Sequence, residues 1–175
     1  MKPFALLPVA LGFSDGILNT LTLAAGRLVD SGEAITPTLA LRIAAAAGIA
    51  GIFMLFVAEY AQARGDLARA EFMLNMGEHG RLIESRQGAR ALRASAGAAL
   101  VSGGCAFLGS LLPLAVGMLA PRPVRMLGLG VAVVALGVLG ALLARAVHGG
   151  MVRWALWMAG GGVVMGIVGV WLHIV

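Results

Sequence analysis

The apolar positions of this chain fall into five long runs separated by short polar segments. Each run is long enough for one α-helix to cross a hydrocarbon layer about 30 Å thick. The pattern therefore predicts an all-α integral membrane protein, with five transmembrane helices in a single domain over residues 1–175. The predicted spans are residues 4–28, 38–60, 94–119, 126–147 and 152–173.

Composition supports this class. Hydrophobic residues make up 60% of the chain and charged residues 12%, and the mean hydropathy is +0.95. A soluble protein of this length needs a polar surface that this sequence does not supply. The formal net charge of +5 does not indicate nucleic-acid binding, because the arginines cluster at the ends of apolar runs, where topology signals lie. The expected surroundings are membrane lipid.

The distribution of Lys and Arg predicts the orientation. With the N-terminus inside, the cytosolic side holds Lys2, six arginines within residues 64–93, Arg145 and Arg153, which is nine of the 13 basic residues. The positive-inside rule then places the N-terminus in the cytosol and the C-terminus outside or in a lumen. The N-terminal run resembles a signal peptide, but Asp15 interrupts it, so a retained first span is expected. In a bacterium this multi-pass protein would lie in the inner (plasma) membrane.

Residues 61–93 form the one long charged stretch and are predicted to be a short cytosolic helical insertion. The second helix is expected to continue past Tyr60 into the cytosol. Glu71 and Glu78 are seven residues apart and share a face if that helix persists. Glu78 and His79 together offer oxygen and nitrogen ligands suited to Fe²⁺, Mn²⁺ or Zn²⁺. The alternative, which the sequence favours, is a solvated surface with local ion pairs.

Asp15 is an acid in the middle of an apolar run. It is expected roughly 16 Å along the first helix, near the bilayer midplane, where a carboxylate is costly unless something pairs with it. Of the eight acids, only Glu59 also falls within or at the edge of a span, about 31 Å along the second helix at its cytosolic mouth. Two interpretations stay open for each acid. Both residues could line a cation path; alternatively, Asp15 is a structural, hydrogen-bonded acid and Glu59 is an ordinary acid at the membrane interface.

These residue types suit the exchange of a divalent metal for protons. Carboxylate oxygens bind hard and borderline divalent cations, and a carboxylate in a medium of low dielectric can take up a proton when the metal leaves. Asn19 and Thr20 add polar groups within two turns of Asp15, and Met54 is a candidate thioether ligand, although methionine in a span usually packs. The predicted path is therefore Asp15, Asn19, Thr20, Met54 and Glu59.

The sequence offers no support for enzymatic chemistry. Cys105 is the only cysteine, so a disulfide framework and a multi-cysteine metal site are excluded, and the residue is expected to pack as a small hydrophobe. The chain lacks a catalytic triad, a Walker loop and an HExxH motif. No permanently bound cofactor is expected.

Four stretches resemble the motifs of the vacuolar iron transporter family, whose relatives move Fe²⁺ and Mn²⁺ out of the cytosol. SDGI at 14–17, followed by Asn-Thr, is similar to the family's N-D-G first-span motif. AEY at 58–60 resembles its G-E-Y, and FLGSLLPL at 107–114 resembles its F-x-x-G-x-L-L-P-L. The glycine-rich fifth span also fits.

The resemblance implies a homodimer with a path along the two-fold axis, lined by the first spans, and export or sequestration of Fe²⁺ or Mn²⁺ by proton antiport. It makes Asp15 a metal ligand in the path and Glu59 a residue near the cytosolic entrance; the candidate metal ligands are then Asp15, Glu59, Met54, Glu71, Glu78 and His79.

The chain also departs from the family's pattern. Ser14 and Ala58 replace the family's Asn and Gly, and Leu55 holds the place of a methionine, with Met54 one residue earlier. The chain would be a short member, because it lacks most of the glutamate-rich cytosolic metal-binding domain. The competing interpretation is a non-transporting membrane subunit or scaffold that kept the fold and lost metal capture.

Overall fold

A computed structural model describes residues 6–30, 36–73, 84–119, 127–146 and 149–171. Within these ranges the chain forms five long helices and no strand, which confirms the all-α prediction. The helices are α1 (Leu6–Asp30), α2 (Pro37–Met73), α3 (Arg86–Leu119), α4 (Leu127–Ala146) and α5 (Met151–Trp171).

Four of these helices, α2 to α5, are long and apolar enough to cross a membrane. In α1 the apolar stretch with described side chains is Leu7–Leu23, about 25 Å long. These long apolar helices are therefore consistent with an integral multi-pass membrane protein.

Two helices are longer than a bilayer requires. The 37 residues of α2 and the 34 residues of α3 correspond to about 55 Å and 51 Å, against a hydrocarbon core of about 30 Å. α2 continues past Tyr60 to Met73, in line with the prediction for this helix. Residues 61–73 and 86–93, which carry many of the charges of the insertion, are thus extensions of α2 and α3.

Each extended helix begins at a hydroxyl side chain. The backbone N–H of Leu39 donates to Oγ1 of Thr36 over 3.4 Å, and that of Gln87 donates to Oγ of Ser85 over 3.1 Å. Serine and threonine at this position satisfy N–H groups that have no partner inside the helix. They fix the start of α2 and α3.

α1 is the central helix of the bundle. It contacts all four of the others, while α2 packs mainly on α3 and α4 mainly on α5. α1 thus lies between two helical pairs. The core cluster reflects this position, because Ile17 and Leu21 of α1 pack with Ala132 and Leu136 of α4.

The contacts between helices define their relative directions. Gly12 of α1 lies against Ser102 of α3 and Gly16 against Ala106, so these two helices run parallel. By contrast, Gly48 of α2 lies against residues 103 and 107 of α3 while Ile52 reaches back to Gly103, so α2 and α3 are antiparallel. The pair α4–α5 is antiparallel by the same criterion, because Gly137 lies against residues 155 and 159 and Gly140 against residues 154 and 158. The direction thus reverses from α1 to α2, from α2 to α3 and from α4 to α5.

Only some of the glycines in α5 make close contacts with other helices. Gly162 and Gly166 are four residues apart, a small-xxx-small spacing that favours close packing of membrane helices. Gly162 is buried against Leu136 and Leu21, but nothing lies within 4 Å of a Cβ placed at Gly166. Gly169 instead makes the second close approach, against the backbone of Thr22 in α1.

Candidate functional site

Asp15 lies midway along α1 and beside α2. It comes nine residues after the start of the helix, about 14 Å along its axis. Its carboxylate is close to Gly51, where a Cβ atom would lie 3.9 Å from Oδ2. Gly51 is itself buried. A Cβ atom there would also lie 3.3 Å from Cβ of Ala106 and 3.5 Å from Cα of Gly103, so the absence of a side chain at Gly51 lets α2 pack closely on α3 beside the carboxylate.

The packing of α1 on α3 sets the direction of Asp15. Gly12 and Gly16 turn toward α3, where a methyl group on either glycine would collide with a backbone carbonyl of that helix. Asp15 precedes Gly16 by one residue, which rotates its side chain about 100° around the helix from that contact. The carboxylate is therefore exposed on the surface of the single chain.

The exposed face of α1 extends from Asp15 toward the N-terminus. Leu7 and Leu11, at intervals of four residues, are 49% and 47% exposed. Residues at this spacing lie on one side of a helix. A carboxylate on an otherwise apolar face is unfavourable when it is exposed to lipid. Contact with a second protein surface would remove this face of α1 from lipid.

Polar side chains join α1 to α3 one turn beyond Asp15. The hydroxyl of Thr20, which is 2% exposed, donates to the carbonyl of Ser110 over 3.1 Å. The hydroxyl of Ser110 donates to the carbonyl of Gly16 over 2.8 Å. Thr20, predicted as a path residue, thus uses its hydroxyl in helix packing.

The sequence interpretation did not assign Ser110 or Gly51. Ser102, Ala106 and Ser110 repeat every four residues, as do Gly12, Gly16 and Thr20. Two such rows of small residues are a recognisable packing signal in membrane helices. The signal for Gly51 is weaker, because the sequence does not reveal which helix it faces.

The other predicted path residues lie along α2 and α1. Asn19 is half-buried one turn after Asp15. Met54 is 70% exposed, three residues beyond Gly51. Glu59 is half-buried and comes eight residues after Gly51, about 12 Å further along α2. The side chains of Asp15 and Glu59 are thus too far apart within one chain to bind the same ion.

A stacked aromatic pair lies next to Glu59 in the sequence of α2. The rings of Phe56 and Tyr60 stack with centroids 5.7 Å apart, and the guanidinium of Arg64 lies 5.9 Å from the centre of the Tyr60 ring. This contact places a positive charge beside Tyr60, the residue after Glu59, at the end of the apolar part of α2.

The predicted cytosolic ligands are described only in part. Glu71 is 3% exposed, whereas the adjacent Phe72 and Met73 are 83% and 84% exposed. This burial differs from the solvated surface that the sequence favours. Glu78 and His79 lie outside the described residues. Within the described ranges of this one chain, no three His, Cys, Asp or Glu side chains are grouped so that they could hold a metal ion.

Comparisons of the chain with known protein families, with curated proteins and with solved structures find no match. The resemblance to the vacuolar iron transporter family therefore rests on the short stretches at 14–17, 58–60 and 107–114 and on the glycine-rich fifth span.

Proposed function

We propose that this protein is a five-span secondary transporter that exports or sequesters Fe²⁺ or Mn²⁺ from the cytosol by proton antiport. The observation that carries the proposal is the position of Asp15, exposed midway along the central helix and beside Gly51 of α2. Intramembrane acids commonly mark ion or proton pathways. The family resemblance supplies the class of cargo, and protons serve as the coupling ion.

A homodimer would complete the site. One chain offers a single carboxylate at this depth, and two copies that meet along the exposed faces of α1 would bring two Asp15 side chains together. The two-fold axis would also remove Leu7 and Leu11 from lipid. Four carboxylate oxygens, with Asn19 nearby, form a ligand set that suits Fe²⁺ and Mn²⁺ equally.

Glu59 gives the path a direction. It lies about 12 Å along α2 from the level of Asp15, toward the end of the helix that carries the charged extension. An ion would meet Glu59 at the entrance and Asp15 at mid-depth. Met54 lies between them and is the candidate soft ligand for Fe²⁺.

The decisive experiment is metal flux in proteoliposomes, measured across a panel of divalent metals with and without a pH gradient. Asp15→Asn keeps the shape of the side chain and removes its charge, so we expect metal-dependent proton flux to be lost. Asp66→Asn is the matched control, because Asp66 is exposed on the α2 extension and pairs with Arg69 at 3.8 Å. Equal flux in the parent and in Asp15→Asn would overturn the assignment of Asp15.

The dimer can be tested separately by cysteine cross-linking in membranes. In a Cys105→Ala background, Leu11→Cys is expected to form a disulfide-linked dimer, because the two copies of this residue would lie across the axis. Val134→Cys, 65% exposed on α4, is the control and should remain monomeric. Cross-linking at position 134 but not at position 11 would place the interface elsewhere.

The second candidate is a non-transporting membrane subunit or scaffold. It is favoured by the absence, within the described part of one chain, of a three-ligand group, and by the use of the Thr20 hydroxyl in packing. This candidate predicts no metal-dependent flux for any metal in the panel, together with normal folding and an unchanged phenotype for Asp15→Asn.

A further inference from the structure

Three arginines form a stripe along the first turns of α3. Arg86, Arg90 and Arg93 are all exposed. At 100° per residue, their side chains leave the helix within an arc of about 60°. Gly88 and Ser95, which are buried, face the opposite way. The arginine stripe, defined as these three residues, therefore points away from the helical bundle.

The arginine stripe lacks acidic partners in the described part of the chain. α3 contains no Asp or Glu from Arg86 to Leu119. On the neighbouring extension of α2, Asp66 pairs with Arg69, and Glu71 is buried. Glu84, just before α3, is exposed, and no ion pair within the described residues joins it to the stripe. Three positive charges are thus left for an external anion.

The location of the stripe indicates the source of that anion. The apolar run of α3 begins at residue 94, so Arg93 lies at the edge of the hydrocarbon core, Arg90 about 6 Å outside it and Arg86 about 12 Å outside it. The headgroup layer on each side of a bilayer is about 5–8 Å thick. Arg93 and Arg90 therefore lie at the depth of lipid phosphates, and the long side chain of Arg86 reaches toward them.

Helix stability does not account for these residues. Positive charges in the first turns of a helix oppose its macrodipole and lower its stability. A membrane-topology signal requires basic residues on one side of the membrane, but it does not require them on one face of one helix. The guanidinium group is suited to phosphate because it can donate two parallel hydrogen bonds.

We propose that the arginine stripe binds the phosphate groups of anionic phospholipids and so recruits these lipids to α3. The proposal depends on α3 crossing the membrane and not on metal transport, so each can fail without the other. Each basic residue beside a transmembrane helix raises the affinity for anionic headgroups about fivefold. Three arginines correspond to roughly a hundredfold.

The test is a titration of the detergent-solubilised full chain with short-chain phosphatidylglycerol, followed by native mass spectrometry. Phosphatidylcholine is the zwitterionic comparison, and soluble glycerol phosphate tests whether the headgroup suffices without acyl chains. The parent is expected to bind phosphatidylglycerol at least tenfold more tightly than either. Equal binding of phosphatidylcholine would overturn the proposal, and equal binding of glycerol phosphate would replace the lipid by a free phosphate ligand.

Two variants with the same loss of charge locate the site. R86Q/R90Q/R93Q removes the stripe and is expected to weaken phosphatidylglycerol binding by roughly a hundredfold. R64Q/R145Q/R153Q removes three other exposed arginines, which lie on three different helices and not on one face, and is expected to weaken the binding by no more than the contribution of one charge, about fivefold. Equal weakening in both variants would show a net-charge effect and overturn the proposal. R86K/R90K/R93K, which keeps the charge, should retain most of the binding and checks that the helix tolerates substitution.

Discussion

Replacing Gly16 by alanine is expected to separate α1 from α3 next to the candidate site. A methyl group at this position would lie 2.8 Å from the carbonyl carbon of Ala106 and 2.9 Å from its Cα, and closer still to its carbonyl oxygen. These are backbone atoms, so no side-chain rotation relieves the overlap. One of the two helices must move.

The size of the effect follows from two contributions. Inserting a methyl group into a close-packed contact costs about 1–3 kcal/mol. Separation of the helices also weakens the bonds from Thr20 to the Ser110 carbonyl and from Ser110 to the Gly16 carbonyl, at about 0.6 kcal/mol each inside a membrane. Together these terms lower the free energy of unfolding by about 2–4 kcal/mol.

The measurement is reversible unfolding in mixed micelles by titration with a denaturing detergent, followed by tryptophan fluorescence. Gly104→Ala is the matched control, because Gly104 lies on the facing helix with nothing within 4 Å of its Cβ position; we expect its unfolding free energy to stay within about 0.5 kcal/mol of the parent. If Gly16→Ala behaves like Gly104→Ala, the close approach of α1 and α3 is wrong, and so is the orientation of Asp15 that depends on it.

Five further substitutions are expected to separate the contributions of packing and of helix capping, each measured as the same unfolding free energy. Gly169→Ala should cost about 1–3 kcal/mol, because a methyl group would meet the Thr22 backbone, while Gly166→Ala should be neutral; equal effects would contradict the docking of α5 on α1. Ser110→Ala should cost about 0.6–1.7 kcal/mol, and a neutral result would contradict its bond to α1. Ser85→Ala should cost about 1 kcal/mol and Ser85→Asp much less, since aspartate also caps a helix; equal losses would argue against the cap.

The hydrophobic pattern predicted the helices well. The predicted spans at 94–119, 126–147 and 152–173 overlap α3, α4 and α5 almost throughout. The continuation of α2 past Tyr60 also followed from the sequence, because residues 61–73 contain no proline to end a helix. The pattern did not indicate the start of α3 at Arg86, since its first turns carry no apolar periodicity.

The candidate site was only partly predictable. The depth of Asp15 along α1 follows from counting residues along a helix of fixed rise, and the position of Glu59 along α2 follows in the same way. Its neighbour Gly51 and the engagement of the Thr20 hydroxyl by Ser110 did not follow, because both depend on contacts between residues far apart in the chain. The burial of Glu71 beside the exposed Phe72 reverses what their polarity alone indicates.

The sequence by itself thus determined the helical class, the approximate helix bounds and the presence of an acid midway along the first helix. Only the tertiary structure decided that α1 is the central helix, that Gly12 and Gly16 pack on α3, and that Asp15 faces outward from the single chain. The reason is physical. In a soluble protein, polarity separates the buried face of a helix from the exposed one, but in lipid both faces are apolar, so close packing of small residues selects the contact.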